Sequence, residues 1–145
     1  MAVVKVLFVC SHNSARSQMA EAFLNQIGGD FIAESAGIEA GTLNPIAVEV
    51  MKEAGIDISG NKTKNVFDFY KQGKFYNYVV TVCDSKTAER CPLFPGTLKY
   101  FHWDLDNPAS FQGTHEEKLE KTKVVRDQIK EKVSELVNEI KKLVL

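Results

Sequence analysis

Val3-Val4-Lys5-Val6-Leu7-Phe8-Val9-Cys10-Ser11-His12-Asn13-Ser14-Ala15-Arg16-Ser17-Gln18-Met19-Ala20 carries three signals in succession. Residues 3–9 form a run rich in β-branched side chains, suited to a strand buried on both faces. A polar turn follows over residues 10–16. From Ser17 the apolar period becomes helical: Met19, Ala20, Phe23, Leu24 and Ile27 share one stripe, and Gly28-Gly29 stops it. Strand, polar turn and amphipathic helix together open an α/β unit.

The pattern continues outward from there. Residues 31–35 read as a second strand. Asn44-Pro45 starts a helix, Asn as cap and Pro in the first turn, running over residues 46–54 to Gly55. Residues 78–82 give a third strand that delivers Cys83 at its carboxyl end, and residues 98–103 a fourth. A last helix spans residues 116–142, with Leu119, Val125, Ile129, Val133, Leu136, Ile140 and Leu143 as its apolar stripe and a solvated charged remainder. Strands alternating with helices predict an α/β three-layer sandwich, a four-stranded parallel sheet with helices on both faces. In such sheets ligands bind beyond the carboxyl ends of strands, where the strand order reverses. The turn at residues 10–16 and the segment beginning at Cys83 both lie at such ends.

Composition sets the frame. The chain has 145 residues, 44% hydrophobic and 26% charged, with a formal net charge of -1. That size fits one domain over residues 1–145 with its own core, and the apolar content excludes disorder. No apolar run approaches the ~20 residues of a membrane-spanning helix. The charge balance gives no general attraction to nucleic acid or anionic lipid. The N-terminus lacks a basic leader with a small-residue cleavage site, so a cytoplasmic monomer is expected.

The three cysteines, Cys10, Cys83 and Cys91, cannot close into a complete disulfide framework. In a reducing compartment they are buried apolar residues, metal ligands or reactive thiols, and without a C-x2-C pair they suit zinc poorly. Cys10 has a particular setting. Between a strand and a helix, C-x5-R-S gives enough chain for the backbone N–H groups of Ser11, His12, Asn13, Ser14 and Ala15 to wrap a tetrahedral anion. The helix dipole adds to the attraction, and Arg16 can grip two oxygens in a fork. The same features suit a nucleophilic thiolate at Cys10, with Ser17 donating to it and Asn13 holding the loop's shape.

Cys10 to Glu21, CSHNSARSQMAE, resembles the active-site loop of the low-molecular-weight protein tyrosine phosphatases, and is closer still to the thioredoxin-recycled arsenate reductases built on that fold. The likeness continues through Glu34-Ser35-Ala36-Gly37-Ile38, Asn44-Pro45, Gly55-Ile56-Asp57-Ile58-Ser59, Val80-Thr81-Val82-Cys83, Cys91-Pro92 and His102-Trp103. It implies a relay. Cys10 attacks arsenate, Cys83 attacks Cys10 as arsenite leaves, and Cys91 attacks Cys83, leaving a Cys83–Cys91 disulfide for an external reductant. Thioredoxin is the implied donor, since a terminal intramolecular disulfide suits a dithiol, and no cofactor is implied.

The chain departs from the family at several points. The family's general acid is an Asp directly before a Pro; here the pair is Asn107-Pro108, so proton transfer falls to Asp106, Asp104 or water. General acid catalysis is typically worth ~10²–10⁴-fold, and its loss weakens hydrolysis of esters with poor leaving groups. Some relatives bind potassium beside the loop through Asn, Glu, Ser and Asp. Asn13, Glu21 and Ser35 match, but the Asp region reads Thr63-Lys64-Asn65. Lys64 can occupy the cation's role, and no metal is expected. His12 replaces a smaller loop residue and is expected to point outward, while His102-Trp103 is expected to pack the end of the fourth strand. Two rival readings stand beside arsenate reduction. One is a phosphatase acting on aryl phosphates through a cysteinyl-phosphate. The other is a redox-sensing or anion-binding module that uses Cys83 and Cys91 as a switch.

Overall fold

The computed structural model describes residues 3–144. Its strands β1 (Val4–Cys10), β2 (Phe31–Gly37), β3 (Tyr78–Thr81) and β4 (Lys99–His102) form one parallel sheet in the order β2-β1-β3-β4. The helices are α1 (Arg16–Ile27), α2 (Pro45–Glu53), α3 (Val66–Lys71), α4 (Ser85–Ala88) and α5 (His115–Val144), with a single 3₁₀ turn at Pro108–Ser110.

β1 is central, and its alternating side chains divide between two cores. Val6 and Phe8 pack with α1, α2 and α5 on one face, and Leu7 and Val9 with Val66 and Phe69 of α3 on the other. This is the expected three-layer arrangement, and it explains a strand with no apolar–polar alternation. The chain leaves β1 for β2 on one side and returns to β3 on the other. The order therefore reverses at β1, and the crevice that reversal opens lies at the carboxyl ends of β1 and β3. Cys10 ends β1, and Cys83 lies two residues beyond β3.

Local chemistry sets the element ends. Gly28 closes α1 at φ 62°, a conformation other residues adopt only with strain. Asn44 caps α2, its Oδ1 accepting from the N–H of Ile46 at 2.8 Å and of Ala47 at 3.2 Å. The short helices α3 and α4 have too few turns to show a stripe in sequence, and each is started by a side-chain cap. Asn65 accepts from the Phe67 N–H at 2.7 Å, and Asp84 from the Thr87 N–H at 2.9 Å. The polar stretch between Cys83 and Cys91 is thus a capped helical turn. It continues through Arg90 N–H to Thr87 O and Cys91 N–H to Ala88 O, both at 3.1 Å.

Two residues of the expected apolar stripes are exposed, Ile27 at 47% and Leu143 at 55%. Ile27 is the last residue of α1. Leu143 lies at the end of a 30-residue helix that is about 45 Å long at 1.5 Å per residue, far longer than the strands it covers. Among the described residues, no helix is long and apolar enough to cross a membrane.

Replacing Asn44 by Ala removes the acceptor of two helix-start N–H groups. Urea unfolding should show a loss of about 0.5–2 kcal/mol, read as a lower midpoint at unchanged slope.

Candidate active site

The loop between β1 and α1 is shaped by where its carbonyls go. The oxygens of Cys10, Ser11, His12 and Ser14 accept from the N–H groups of Ile38 (3.0 Å), Glu39 (2.9 Å), Gly41 (2.9 Å) and Asn44 (2.9 Å). In a trans peptide the N–H points opposite to the C=O, so tying the carbonyls outward turns the intervening amides inward. Asn13 makes the turn at φ 56°, a left-handed conformation Asn tolerates better than most residues. Two strands must come close for this to work. A Cβ on Gly37 would stand 2.4 Å from Glu39 O, 2.6 Å from Asn13 N and 2.7 Å from His12 C, all backbone atoms that cannot swing aside.

The Asn13 side chain is fully used. Its Nδ2 donates to Ser17 Oγ (2.7 Å) and Ser35 Oγ (3.0 Å), and its Oδ1 accepts from Gln18 Nε2 (3.0 Å) and the Lys64 N–H (3.0 Å). With Ser17 Oγ accepting from Asn13, its own proton is free for Cys10 Sγ, 2.9 Å away. The Asn13 N–H donates to the same sulfur at 3.1 Å. Two donors therefore converge on a buried sulfur, the arrangement a thiolate requires.

Arg16, 4% exposed, sends Nη1 to Leu105 O at 3.2 Å and Nη2 to Ser11 Oγ at 3.1 Å. Among the described residues no carboxylate lies within ion-pair distance of it. Ala15 offers no side-chain cap to α1, so the helix's first N–H groups stay open. A buried guanidinium without a counter-ion, beside uncapped amides and a sulfur, suits an incoming oxyanion.

All three cysteines are free thiols. Cys83 shares the core of the α1–α5 face with Cys10, whereas Cys91 packs against the core on the α3 face. Burial pushes the Cys83 thiol up to about 12, with Arg16 pulling the other way and Cys10, Asp84 and Cys91 adding to the rise. Burial likewise pushes Cys91 up to about 11. Cys91 lines a cavity of about 400 Å³ at the β3–β4 edge, together with Thr81, Leu93, Tyr100 and His102.

The remaining expected residues fall as follows. Ser14 and Ala15 contribute backbone. His12 points outward, its Nε2 3.6 Å from Glu39 Oε2 with half its side chain exposed. Trp103 packs on Phe8 with ring centroids 5.8 Å apart, while His102 bonds Thr81 Oγ1 at 2.7 Å. Asp104 and Asp106 are exposed and hydrogen-bond to neither Cys10 nor Arg16. The loop instead presents the carbonyl of Leu105 to Arg16, and Asn107 caps the 3₁₀ turn through the Ala109 N–H at 3.1 Å. Leu105, the pinning loop over residues 38–44 and the Gln18 contact had no signal in sequence, because backbone groups or a single amide do the work.

Beneath the loop, Lys64 Nζ stands 3.4 Å from both Glu21 Oε1 and Ser35 Oγ. A metal ion among Asn13, Glu21 and Ser35 would meet an ammonium already there, so these residues do not fit one.

The chain matches the low molecular weight phosphotyrosine protein phosphatase family over residues 5–144. It belongs to that family. The relatives it matches include arsenate reductases and also a low molecular weight protein tyrosine phosphatase of T. tengcongensis, which superposes with TM-score 0.74 at 27% identity over 94% of this chain and 99% of that one. The chain is 45% identical over 131 residues to an arsenate reductase of Bacillus subtilis, covering 90% of this chain and 92% of the relative. A solved arsenate reductase in its oxidized state superposes with TM-score 0.79 at 33% identity, over 94% of this chain and 98% of that one. A thioredoxin-dependent arsenate reductase of Corynebacterium glutamicum superposes with TM-score 0.73 at 27% identity, over 97% of this chain and 63% of that one.

Two outcomes follow from the family loop as built here. Gly37→Ala should lower stability by about 1–3 kcal/mol, as overpacking does, and weaken phosphate binding. Gly60→Ala, with nothing within 4 Å of its Cβ, should change neither by calorimetry. In the reduced protein, iodoacetamide labelling of Cys91 should rise roughly tenfold per pH unit towards pH 11, since the thiolate is the nucleophile. Phosphate should protect Cys10 and leave Cys91 unprotected, as mass spectrometry of the labelled peptides will show.

Proposed function

We propose that this chain reduces arsenate to arsenite by a three-thiol relay and is recycled by thioredoxin. The observation that carries the reading is the pairing of a complete oxyanion loop at Cys10 with Cys83 in the same buried cluster at the neighbouring strand end. A phosphatase of this fold needs only the first thiol.

The chemistry balances as follows. Arsenate enters against the inward N–H groups and Arg16. The Cys10 thiolate attacks arsenic, forming an S–As bond, and one arsenate oxygen leaves as water after protonation. Asn107 cannot supply that proton by ionising, so Asp106, Asp104 or solvent does. Cys83 then attacks Cys10 Sγ, its proton passing to the departing arsenite or to solvent; the S–As bond breaks with its electron pair remaining on arsenic, which leaves as arsenite. The products are arsenite and a Cys10–Cys83 disulfide. Attack of Cys91 on Cys83 releases the Cys10 thiolate to its two donors and leaves a Cys83–Cys91 disulfide, which an external dithiol reduces.

Two features support this order. Burial raises the thiols of Cys83 and Cys91, and neither lies in the loop that closes on Arg16, so the substrate meets Cys10 first. Cys91 starts against the opposite core, and in this reading the capped turn α4 opens to bring Cys91 to Cys83. A four-residue helix, far below the ~12–15 residues at which isolated helices become stable, opens at little cost.

Arsenate-dependent NADPH oxidation with thioredoxin and its reductase tests the reading. Turnover should vanish in Cys10→Ser, Cys83→Ser and Cys91→Ser, and Arg16→Ala should lose about 10²–10³-fold, as removing an oxyanion donor does. With an aryl phosphate as substrate, any hydrolysis should depend on Cys10 alone. Wild-type turnover in Cys83→Ser would rule the relay out and favour the phosphatase reading.

A further inference from the structure

Glu21 lies in the middle of α1 with 17% of its side chain exposed, and among the described residues its one cationic partner is Lys64. A carboxylate that far from water needs compensation. The compensating group is held at three points. The Lys64 N–H donates to Asn13 Oδ1 at 3.0 Å, its carbonyl accepts from the Gly37 N–H at 2.8 Å, and its Nζ reaches Glu21 and Ser35. Residue 65 also bridges Gly37 at the end of β2. The ammonium is therefore delivered by fixed backbone and not by a wandering surface side chain.

The network it closes runs to the reacting sulfur. Ser35 Oγ donates to Glu21 Oε1 at 2.8 Å and accepts from Asn13 Nδ2 and Lys64 Nζ, which exhausts its hydroxyl. Asn13 then orients Ser17, and Ser17 meets Cys10 Sγ. Every side-chain donor of Ser35, Asn13 and Ser17 along the path has an assigned acceptor, so a change at one end moves the next group.

We infer that Lys64 is a positioning residue, a covalently tethered cation that fixes the underside of the oxyanion loop and makes a bound monovalent cation unnecessary. It acts through Ser35, Asn13 and Ser17 on the shape of the loop and touches no substrate. Removing its ammonium leaves the Glu21 carboxylate and the Ser35 hydroxyl facing a gap of ammonium size. Oxygen donors of that kind take up potassium or ammonium ions, so loss of Lys64 converts a cation-indifferent loop into a cation-dependent one. The inference rests on Cys10 and its loop being the oxyanion site.

Phosphate binding, measured by calorimetry at constant ionic strength in tetramethylammonium, potassium or ammonium chloride, tests this apart from turnover. Wild type should bind phosphate equally in all three salts. Lys64→Met should bind on the order of tenfold more weakly in tetramethylammonium chloride, as outer-shell changes do, and recover in potassium or ammonium chloride. Glu21→Gln/Lys64→Met should bind better than Lys64→Met alone, because the uncompensated carboxylate is gone. In turnover, Lys64→Met should raise KM for arsenate with kcat little changed, and the same salts should restore it. A Lys64→Met protein that binds phosphate like wild type overturns the inference. So does one weakened equally in every salt with no relief from Glu21→Gln, and so does a wild type that itself needs potassium. Failure of wild type to bind phosphate in any salt overturns the loop assignment along with it.

Discussion

Everything at this site depends on the outward anchoring of the loop's carbonyls. Four of them are taken by the backbone of residues 38–44, which leaves the amides no direction but inward. Neither the sulfur of Cys10 nor the guanidinium of Arg16 would make an oxyanion site without that constraint. It is enforced by backbone contact at Gly37, by the left-handed turn at Asn13 and by the saturated amide of Asn13. The parallel sheet supports it, because β1 and β2 must run together to bring residues 10–14 alongside residues 37–44.

That rigidity contrasts with the outer half of the site. Cys83 and Cys91 are separated by one short capped helix, and Cys91 rests on the opposite core from Cys83. A fixed loop beside an easily opened segment is a sensible division for a relay. The oxyanion step requires groups held within a fraction of an ångström, whereas the exchange steps require a thiol to travel. Burial raises the thiols of Cys83 and Cys91, so in the proposed relay they gain reactivity as burial is relieved.

Much of this was legible in the sequence, for identifiable reasons. The run at residues 3–9 and the stripe from Met19 to Leu24 gave the strand–turn–helix unit, because hydrophobic periodicity is strong where burial is complete. Cys10, Arg16, Ser17 and Asn13 stand out by their spacing, and the fold brings them together at the end of β1. Leu105 and residues 38–44 were not, since they act through backbone groups that any sequence provides. The short helices α3 and α4 escaped because six and four residues cannot display a period, although Asn65 and Asp84 are caps in hindsight. Ile27 and Leu143 look apolar in a stripe but end their helices. The exposed position of Asp106 is a matter of loop geometry that composition does not encode.

The relay is tested most directly by mapping the thiols after a single turnover. Fully reduced protein mixed with one equivalent of arsenate, without any external reductant, should yield one equivalent of arsenite. Peptide mapping should then find a Cys83–Cys91 disulfide with Cys10 free. Arsenate left unreduced with all three thiols free, or arsenite formed without a disulfide at Cys83, would contradict the account.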